Sequence, residues 1–258
     1  MSDVSVVTSC SAQGWVEYGE TFVRSFQQHW PADVHLYLIS EDRLPVPHIA
    51  LQESAAAVDF LERNDTQRAK GRVRLHSDAG WTPKKAAEGY NFRYDAFRFA
   101  KKVFAIELAA NRMRAGKLFW ADGDIETFAD VPESLLDALL PDAAALCCLD
   151  RGTYHSECGF VGYNLDHPQG LEFIRAFSAL YSGGDVFRLQ EWHDSWVFDW
   201  LRRELHTETK PITHHSRHHP FVNSVLGRYM DHKKGARKEN GTPTRELVVN
   251  KDVGHWRR

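Results

Sequence analysis

The sequence predicts one α/β domain over residues 1–258, with a central, mostly parallel sheet flanked by helices. Two observations support this fold class. Strand-like and helix-like segments alternate along the chain, which is typical of parallel crossover units. A chain of 258 residues, 43% of them hydrophobic, can fill the core of one large domain. The formal net charge of -3 gives no overall basicity that would require a nucleic-acid partner.

The cysteines and the N-terminal residues predict a cytoplasmic protein. Cys10, Cys147, Cys148 and Cys158 form no CxxC pair and no spaced framework, so we expect reduced thiols, and we expect Cys147 and Cys148 only to pack in a buried strand. Met1 is followed by polar residues and a strand-like run, which predicts no signal peptide. No apolar run approaches the roughly 20 residues that a membrane helix needs.

Residues 1–42 predict a strand, a helix and a second strand. The strands are expected at Val4–Thr8 and Val34–Ile39, and the helix at Trp15–Trp30 stops before Pro31. Ligands of parallel sheets lie beyond the carboxyl ends of the strands. The residues expected at a nucleotide pocket there are Thr8, Ser9, Glu41 and Asp42. Ordinary loop polarity is an equal alternative for each of them.

Residues 61–90 have mixed charge and several glycines without apolar periodicity. This composition predicts an excursion from the core, either a lid over a site or a solvated insertion. The segment that follows, Asn91–Met113, has the strongest helical pattern in the chain. On this helix, Arg93 and Arg98 either face an anionic ligand or pair at the surface with Asp95.

Two carboxylates follow the predicted strand Lys117–Ala121. Asp122 and Asp124 flank Gly123, which lets the backbone and both side chains approach one ligand. Two hard oxygen ligands at the end of an apolar strand suit a divalent cation and, through it, a diphosphate. The alternative is an acidic loop that caps the helix near Pro132.

The rest of the chain continues the alternation of strands and helices. The predicted elements are a helix at Leu135–Leu140, a strand at Ala143–Leu149, an acidic turn and strand over Ser156–Asn164, and helices at Leu171–Tyr181, Trp196–Leu205 and Val222–Tyr229. Asp194 is placed to cap the helix that begins at Trp196. The histidine-rich run 214–219 is expected to be a solvated loop, because adjacent imidazoles chelate a metal poorly.

A second motif near the C-terminus, HxxGxxK, is formed by His232, Gly235 and Lys238. A DxD after a strand combined with this motif resembles the GT-A glycosyltransferases. The resemblance is closest to the retaining enzymes of the glycogenin and bacterial lipopolysaccharide galactosyltransferase type. Two departures stand out: Glu239 follows the lysine where the family has a proline, and Ser195 follows Asp194 in place of a glutamine.

The resemblance implies a hexosyltransferase that moves a sugar from a nucleotide-diphosphate donor, mostly a UDP-sugar, to an acceptor hydroxyl with retention. It implies a nucleotide-sugar half in residues 1–125 and an acceptor half in residues 126–258. The metal, Mn²⁺ or Mg²⁺, is expected on Asp122, Asp124 and His232. The donor is expected on Thr8, Ser9, Asp42, Arg98, Gly235 and Lys238. Asp194 and Glu157 are the candidate catalytic carboxylates.

Two other functions stay open at this point. The same acids and the histidine-rich loop could serve a metal-dependent phosphoesterase or nucleotide hydrolase. The basic segment 210–258 could serve a non-catalytic nucleotide-sugar or nucleic-acid binder. For a transferase, the sequence does not identify the acceptor, which could be a glycan, lipopolysaccharide, a protein or modified DNA.

Overall fold

A computed structural model describes residues 4–72, 89–213 and 219–233. The strands are β1 Val4–Ser9, β2 His35–Ser40, β3 Ile49–Ala50, β4 Lys117–Ala121, β5 Ile125–Thr127, β6 Leu146–Arg151, β7 Tyr154–Asn164, β8 Thr209–Pro211 and β9 Met230–His232. The α-helices are α1 Ala12–Gly14, α2 Glu20–His29, α3 Ala55–Arg63, α4 Ala96–Met113, α5 Glu133–Leu139, α6 Pro168–Ser182 and α7 Asp194–Glu204.

A seven-stranded sheet in the order β3-β2-β1-β4-β7-β6-β8 forms the centre of the fold. The pairs β1–β2, β1–β4, β2–β3 and β6–β8 are parallel, whereas β7 runs antiparallel to both β4 and β6. A separate small sheet pairs β5 with β9. The predicted α/β class, with a mostly parallel central sheet flanked by helices, is confirmed.

Neighbouring residues of the central strands point to opposite faces of the sheet, as the pleat requires. Val7 of β1 and Trp120 of β4 pack with α3, α4, α6 and α7 on one face. Val6 and Phe119 pack with α2 and α5 on the other face. Both faces are therefore covered, and only the strand ends and the loops beyond them are left to form a site.

The predicted strand–helix–strand unit at the N-terminus is confirmed, since β1 and β2 pair in parallel. The Ser11 hydroxyl accepts the N–H of Gly14 at the start of α1. The chain then passes through a π-helical segment, Trp15–Gly19, into α2, which ends before Pro31.

The sequence patterns did not predict α3, and residues 61–63 of the expected excursion belong to it. The Ser54 hydroxyl caps this helix by accepting the N–H of Ala57. Most of the remaining excursion, residues 73–88, lies outside the described residues. Beyond the excursion, α4 begins after Asp95, whose carboxylate caps the helix by accepting the N–H of Arg98.

Several predicted boundaries are wrong. The helix expected from Asn91 begins only at Ala96, and the helix expected from Trp196 begins at Asp194. Residues 156–157 are not an acidic turn, because Tyr154–Asn164 is one continuous strand in which a register shift sets Glu157 opposite Leu149. The expected helix at Val222–Tyr229 is only a short 3₁₀ turn, because the backbone is extended at the preceding Ser224. Among the described residues, no helix is both long and apolar enough to cross a bilayer.

The four cysteines are all buried and unpaired with one another, and the expectation that Cys147 and Cys148 only pack is met. Cys147 and Cys148 lie on opposite faces of β6, with Cys148 in one hydrophobic layer and Cys147 in the other. Burial raises the pKa of the Cys148 thiol to about 12 and that of Cys10 to about 11. Such thiols are poor nucleophiles near neutral pH.

Candidate active site

The acidic cluster, defined as Asp122, Asp124 and His232, lies at the carboxyl end of β4. β5 follows the two acids directly and pairs antiparallel with β9, so that Ile125 lies opposite His232. This pairing places His232 Nε2 2.9 Å from Asp124 Oδ1 and 3.6 Å from Asp122 Oδ2. The fold therefore brings together the three side chains that the sequence analysis predicted as metal ligands.

Two residues of β7 fix the orientation of the His232 ring. Nδ1 of His232 lies 2.9 Å from Glu157 Oε1, which leaves Nε2 to face the two acids. Gly159 makes room for the ring, because a Cβ at this position would lie 2.6 Å from His232 Nδ1. On another side, the ring of Phe221 packs edge-on with a centroid distance of 5.6 Å. His232 is thus buried in one orientation.

Hydrogen bonds to the neighbouring strands β7 and β4 hold Asp122 at the start of the turn between β4 and β5. The backbone N–H of Asp122 donates to the carbonyl of Gly159 (2.9 Å), and the indole of Trp120 donates to Asp122 Oδ1 (2.6 Å). For the alternative role, a loop that caps the helix near Pro132, the contacts of the two acids point elsewhere: both acids face His232, and Pro132 at the N-cap of α5 makes no side-chain cap hydrogen bond.

The donor atoms of the acidic cluster suit a small divalent cation. One ligand atom from each of its three residues lies within 4.8 Å of the others. Two carboxylates and one imidazole are a donor set for Mn²⁺ and, less well, for Mg²⁺. The contact between Glu157 and His232 matches the outer carboxylate that usually orients a metal-bound histidine. The residues present therefore fit the cation that the resemblance implies.

Lys102, which the sequence analysis did not select, joins the acidic cluster to Asp194. Its Nζ lies 3.1 Å from Asp122 Oδ1 and 2.7 Å from Asp194 Oδ2. Burial disfavours the charged ammonium, but the charges of Asp122 and Asp194 outweigh burial and raise the pKa of Lys102. A permanent positive charge therefore lies inside the protein, directly beside the acidic cluster.

Asp194 does not cap α7 as predicted. It is the first residue of this helix, the N-cap position belongs to His193, and the Asp194 carboxylate turns to Lys102. Burial favours the neutral acid, but the charge of Lys102 and the contact with His193 outweigh it and lower the pKa of Asp194. Asp194 is consequently a buried carboxylate that stays ionised.

The two acids of the acidic cluster, Asp122 and Asp124, line a cavity of about 1090 Å³, at the upper end of the usual size of ligand pockets, and His232 is buried beneath them. Several residues predicted from the sequence line this cavity. They are Ser9, Glu41, Arg93, Arg98, Glu157 and Asp194.

Four predicted donor-binding residues are not among the described residues that line the cavity. Thr8 is buried behind it, and its hydroxyl has no hydrogen-bond partner among the described residues. Asp42 accepts the backbone N–H of Ala12 at 2.7 Å and so holds the loop that follows β1. Gly235 and Lys238 lie outside the described residues, so their predicted contact with the diphosphate stays a prediction.

Lys102 has no signal in the sequence that marks it as part of a site. It is one of two adjacent lysines on a helix whose other charged residues alternate with apolar ones. Only the tertiary contacts, in which α4 packs on one face of the sheet and Lys102 reaches Asp122 and Asp194, show which of the two lysines points inward.

No protein-family profile matches the chain, and no curated protein matches it by sequence. Among solved structures, the chain is similar to a glycosyltransferase involved in the glycosylation of the major capsid of PBCV-1. That match has a TM-score of 0.51 at 10% identity and covers 93% of this chain and 99% of the other.

Two structures of the glycosyltransferase GlyE from Streptococcus pneumoniae TIGR4 are also similar. The apo form has a TM-score of 0.45 at 13% identity, and it covers 81% of this chain and 45% of GlyE. The second structure has a TM-score of 0.43 at 12% identity, covering 82% and 45%. This chain therefore spans less than half of GlyE. The match to the PBCV-1 enzyme shows that the chain has a fold found in glycosyltransferases, as predicted.

Proposed function

We propose that this chain is a divalent-cation-dependent glycosyltransferase that moves a sugar from a nucleotide-diphosphate donor to an acceptor hydroxyl. The observation that carries the proposal is the convergence of the buried His232 on Asp122 and Asp124, two acids that line a large cavity at the carboxyl end of the sheet. The two acids are adjacent in the sequence, but the histidine reaches them only through the pairing of β5 with β9. The combination of DxD and HxxGxxK motifs favours a UDP-sugar as the donor and a hexose as the transferred group.

Asp122, Asp124 and His232 would hold Mn²⁺ or Mg²⁺. When bound, such a cation supplies Lewis-acid stabilisation of the negative charge that develops on a departing diphosphate. In the protein itself, Glu157 acts as a positioning residue, because its carboxylate contacts Nδ1 of His232 and keeps Nε2 directed at the two acids. This role is different from that of a catalytic base, which the sequence analysis considered for Glu157.

Asp194 supplies a fixed negative charge at the cavity wall. Its carboxylate lies 2.7 Å from the Lys102 ammonium, and its lowered pKa makes it a weak proton acceptor. A general base works best with a pKa near the operating pH. We therefore assign Asp194 to the stabilisation of positive charge on the sugar ring, not to proton removal.

This assignment favours retention of configuration. As the acceptor oxygen bonds to the anomeric carbon, the bond from that carbon to the phosphate oxygen breaks. The proton of the acceptor hydroxyl then passes to the departing phosphate oxygen, because Asp194, with its lowered pKa, is too weak a base to accept it. No covalent sugar–protein bond is required in this scheme.

The test uses the full chain and a panel of nucleotide-diphosphate sugars, with oligosaccharide acceptors and with or without Mn²⁺. The measured quantities are the nucleoside diphosphate released, the glycosylated acceptor formed and the anomeric configuration of the product. We expect Asp124→Ala and His232→Ala each to lower transfer by about 100-fold or more, the scale seen when one electrostatic contact to a transition state is removed. Both variants should also lose the thermal stabilisation that UDP gives in the presence of Mn²⁺.

Asp130→Ala is the matched control, because Asp130 is an exposed carboxylate paired with His29. It should leave transfer and the melting temperature unchanged. Normal transfer by both Asp124→Ala and His232→Ala, at unchanged melting temperature, would contradict the proposal. Hydrolysis of simple phosphate esters, with no glycosylated product from any acceptor, would replace it with a phosphoesterase.

A further inference from the structure

A second group of metal-ligating side chains lies beside the same cavity. This imidazole cluster consists of His155, Glu191 and His193, and one ligand atom from each lies within 4.8 Å of the others. His155 belongs to β7, while Glu191 and His193 belong to the segment that leads into α7. The imidazole cluster shares no residue with the acidic cluster.

The three side chains of the imidazole cluster converge on one point. Nε2 of His193 lies 2.8 Å from Glu191 Oε2, and Nε2 of His155 lies 3.7 Å from the same oxygen. The two rings meet edge to face, with centroids 5.1 Å apart. Ligand atoms of a tetrahedral ion with bonds of about 2.0–2.2 Å lie about 3.3–3.6 Å apart. Coordination would therefore require a small shift of the His155 ring and a slight widening of the contact between His193 and Glu191.

Two of the three side chains, Glu191 and His193, also have a charged partner on their other side. Arg93 lies 3.2 Å from Glu191 Oε1, which leaves Oε2 for the two imidazoles. Asp194 Oδ1 faces Nδ1 of His193 at 3.9 Å. Histidines that bind a metal through one nitrogen usually have a carboxylate or carbonyl near the other. The surroundings of Glu191 and His193 are therefore organised as those of metal ligands are.

We propose that His155, Glu191 and His193 form a second cation site, which prefers Zn²⁺. Two imidazoles and one carboxylate are a common protein donor set for zinc, whereas Mn²⁺ and Mg²⁺ prefer oxygen-rich sites such as the acidic cluster. Three protein ligands leave the fourth position of the ion for water or a ligand oxygen. His155 and His193 both line the cavity, so this fourth ligand enters from the cavity.

Charge around the imidazole cluster is close to balanced. Glu191 and Asp194 contribute two negative charges, against the positive charges of Arg93 and of Lys102, which Asp194 shares with the acidic cluster. Arg93 weakens the attraction for a cation but fixes the carboxylate that would bind it. The competing explanation is a hydrogen-bonded network in which a proton occupies the position assigned to zinc.

The experiment uses the full chain, stripped of metal, in a background that removes the other zinc-binding candidates. Asp124→Ala and His232→Ala disable the acidic cluster. The histidines of the C-terminal run are changed to asparagine, and these are His214, His215, His218 and His219. Zn²⁺ affinity is measured by competition with a chromophoric chelator, and Co²⁺ is used as the spectroscopic probe, because tetrahedral cobalt absorbs strongly in the visible range.

The background protein should bind a single zinc ion per chain and give the absorption of tetrahedral cobalt. Adding His155→Ala or Glu191→Gln should lower the affinity by more than the roughly 10–100-fold that loss of an outer partner costs. His155 is only partly buried and glutamine has nearly the shape of glutamate, so both variants should fold, as checked by melting temperature.

His35→Ala is the matched control, because His35 is an exposed histidine that packs against Tyr37 on β2. It should leave zinc affinity unchanged. Failure of the folded background protein to bind Zn²⁺ would leave a hydrogen-bonded network only and overturn the proposal. Binding that survives both His155→Ala and Glu191→Gln would overturn it as well. Because the acidic cluster is disabled throughout, neither outcome depends on the proposed transferase activity.

Discussion

The acidic cluster and the imidazole cluster lie beside one cavity and are built on the same plan from different donors. Each contains a buried histidine, His232 or His193, whose second ring nitrogen faces a carboxylate. The acidic cluster offers two carboxylates and one imidazole, and the imidazole cluster offers the reverse. If both proposals hold, the type of donor atom would direct a hard cation to the acidic cluster and zinc to the imidazole cluster.

The two clusters are assembled in different ways. The acids of the first are fixed by a local turn, and its histidine arrives through a strand pair between distant parts of the chain. In the second, two ligands come from one short segment before α7 and the third from the adjacent strand β7. Between the clusters lies the ion pair of Lys102 and Asp194, which contacts Asp122 on one side and faces His193 on the other.

The largest effect is expected when this ion pair is broken. Lys102→Met keeps the shape of the side chain but leaves the buried Asp194 carboxylate without its cation. Removal of one partner from a buried pair costs about 3–5 kcal/mol in the free energy of unfolding. The free energy should be measured by urea denaturation, and Lys102→Met/Asp194→Asn should recover part of the loss.

Lys101→Met is the matched control for this prediction. Lys101 is adjacent on α4, but its ion pair with Glu41 is partly exposed. Such pairs contribute about 0–1 kcal/mol. Equal destabilisation by the two lysine variants would mean that Lys102 does not organise the region between the clusters.

A smaller effect, confined to the acidic cluster, is expected from Gly159→Ala. The new Cβ would lie 2.6 Å from His232 Cε1 and Nδ1, so the ring must shift from its present position between Glu157 and Asp124. A displacement of about 1 Å in a site can lower a rate by about 100-fold, and we expect a loss of sugar transfer on this scale. Zinc binding by the imidazole cluster, measured with the chelator assay, should not change.

Gly162→Ala on the same strand is the control. Its Cβ would also meet a neighbour at 2.6 Å, but this neighbour is Cys147 Sγ in the core. This variant should lower the melting temperature while keeping the Mn²⁺ dependence of transfer. If Gly159→Ala were as active as the wild type, the position of His232 would not limit the reaction.

The smallest effect is expected from Glu157→Gln, which removes the charge facing His232 Nδ1 and preserves the shape of the side chain. Loss of such a carboxylate lowers metal affinity by about 10–100-fold. The Mn²⁺ concentration that gives half-maximal transfer should rise accordingly, with little change in rate at saturating Mn²⁺. A fall in the saturated rate of several orders of magnitude would instead make Glu157 a catalytic base.

The residues of the site that could be predicted are those that belong to short sequence motifs. Asp122 and Asp124 follow a buried strand, and His232 was selected through its spacing from Gly235 and Lys238. Asp194 lines the cavity, and its role as a catalytic candidate stays a prediction, but its expected role as a helix cap was wrong because its carboxylate turns to Lys102. Thr8 and Asp42 were chosen by their position after strands. Position along a strand does not say whether a side chain reaches the cavity or, like Asp42, accepts a hydrogen bond from the neighbouring loop that follows β1.

The sequence by itself determined the alternation of strands and helices and the identity of the acidic cluster. Both follow from local patterns: apolar periodicity, strand-ending carboxylates and motif spacing. Tertiary structure alone decided that Glu157 orients His232, that Lys102 points inward, and that His155 meets Glu191 and His193. These contacts join residues from different elements, and their energies depend on burial and on the charges nearby, which no local pattern encodes.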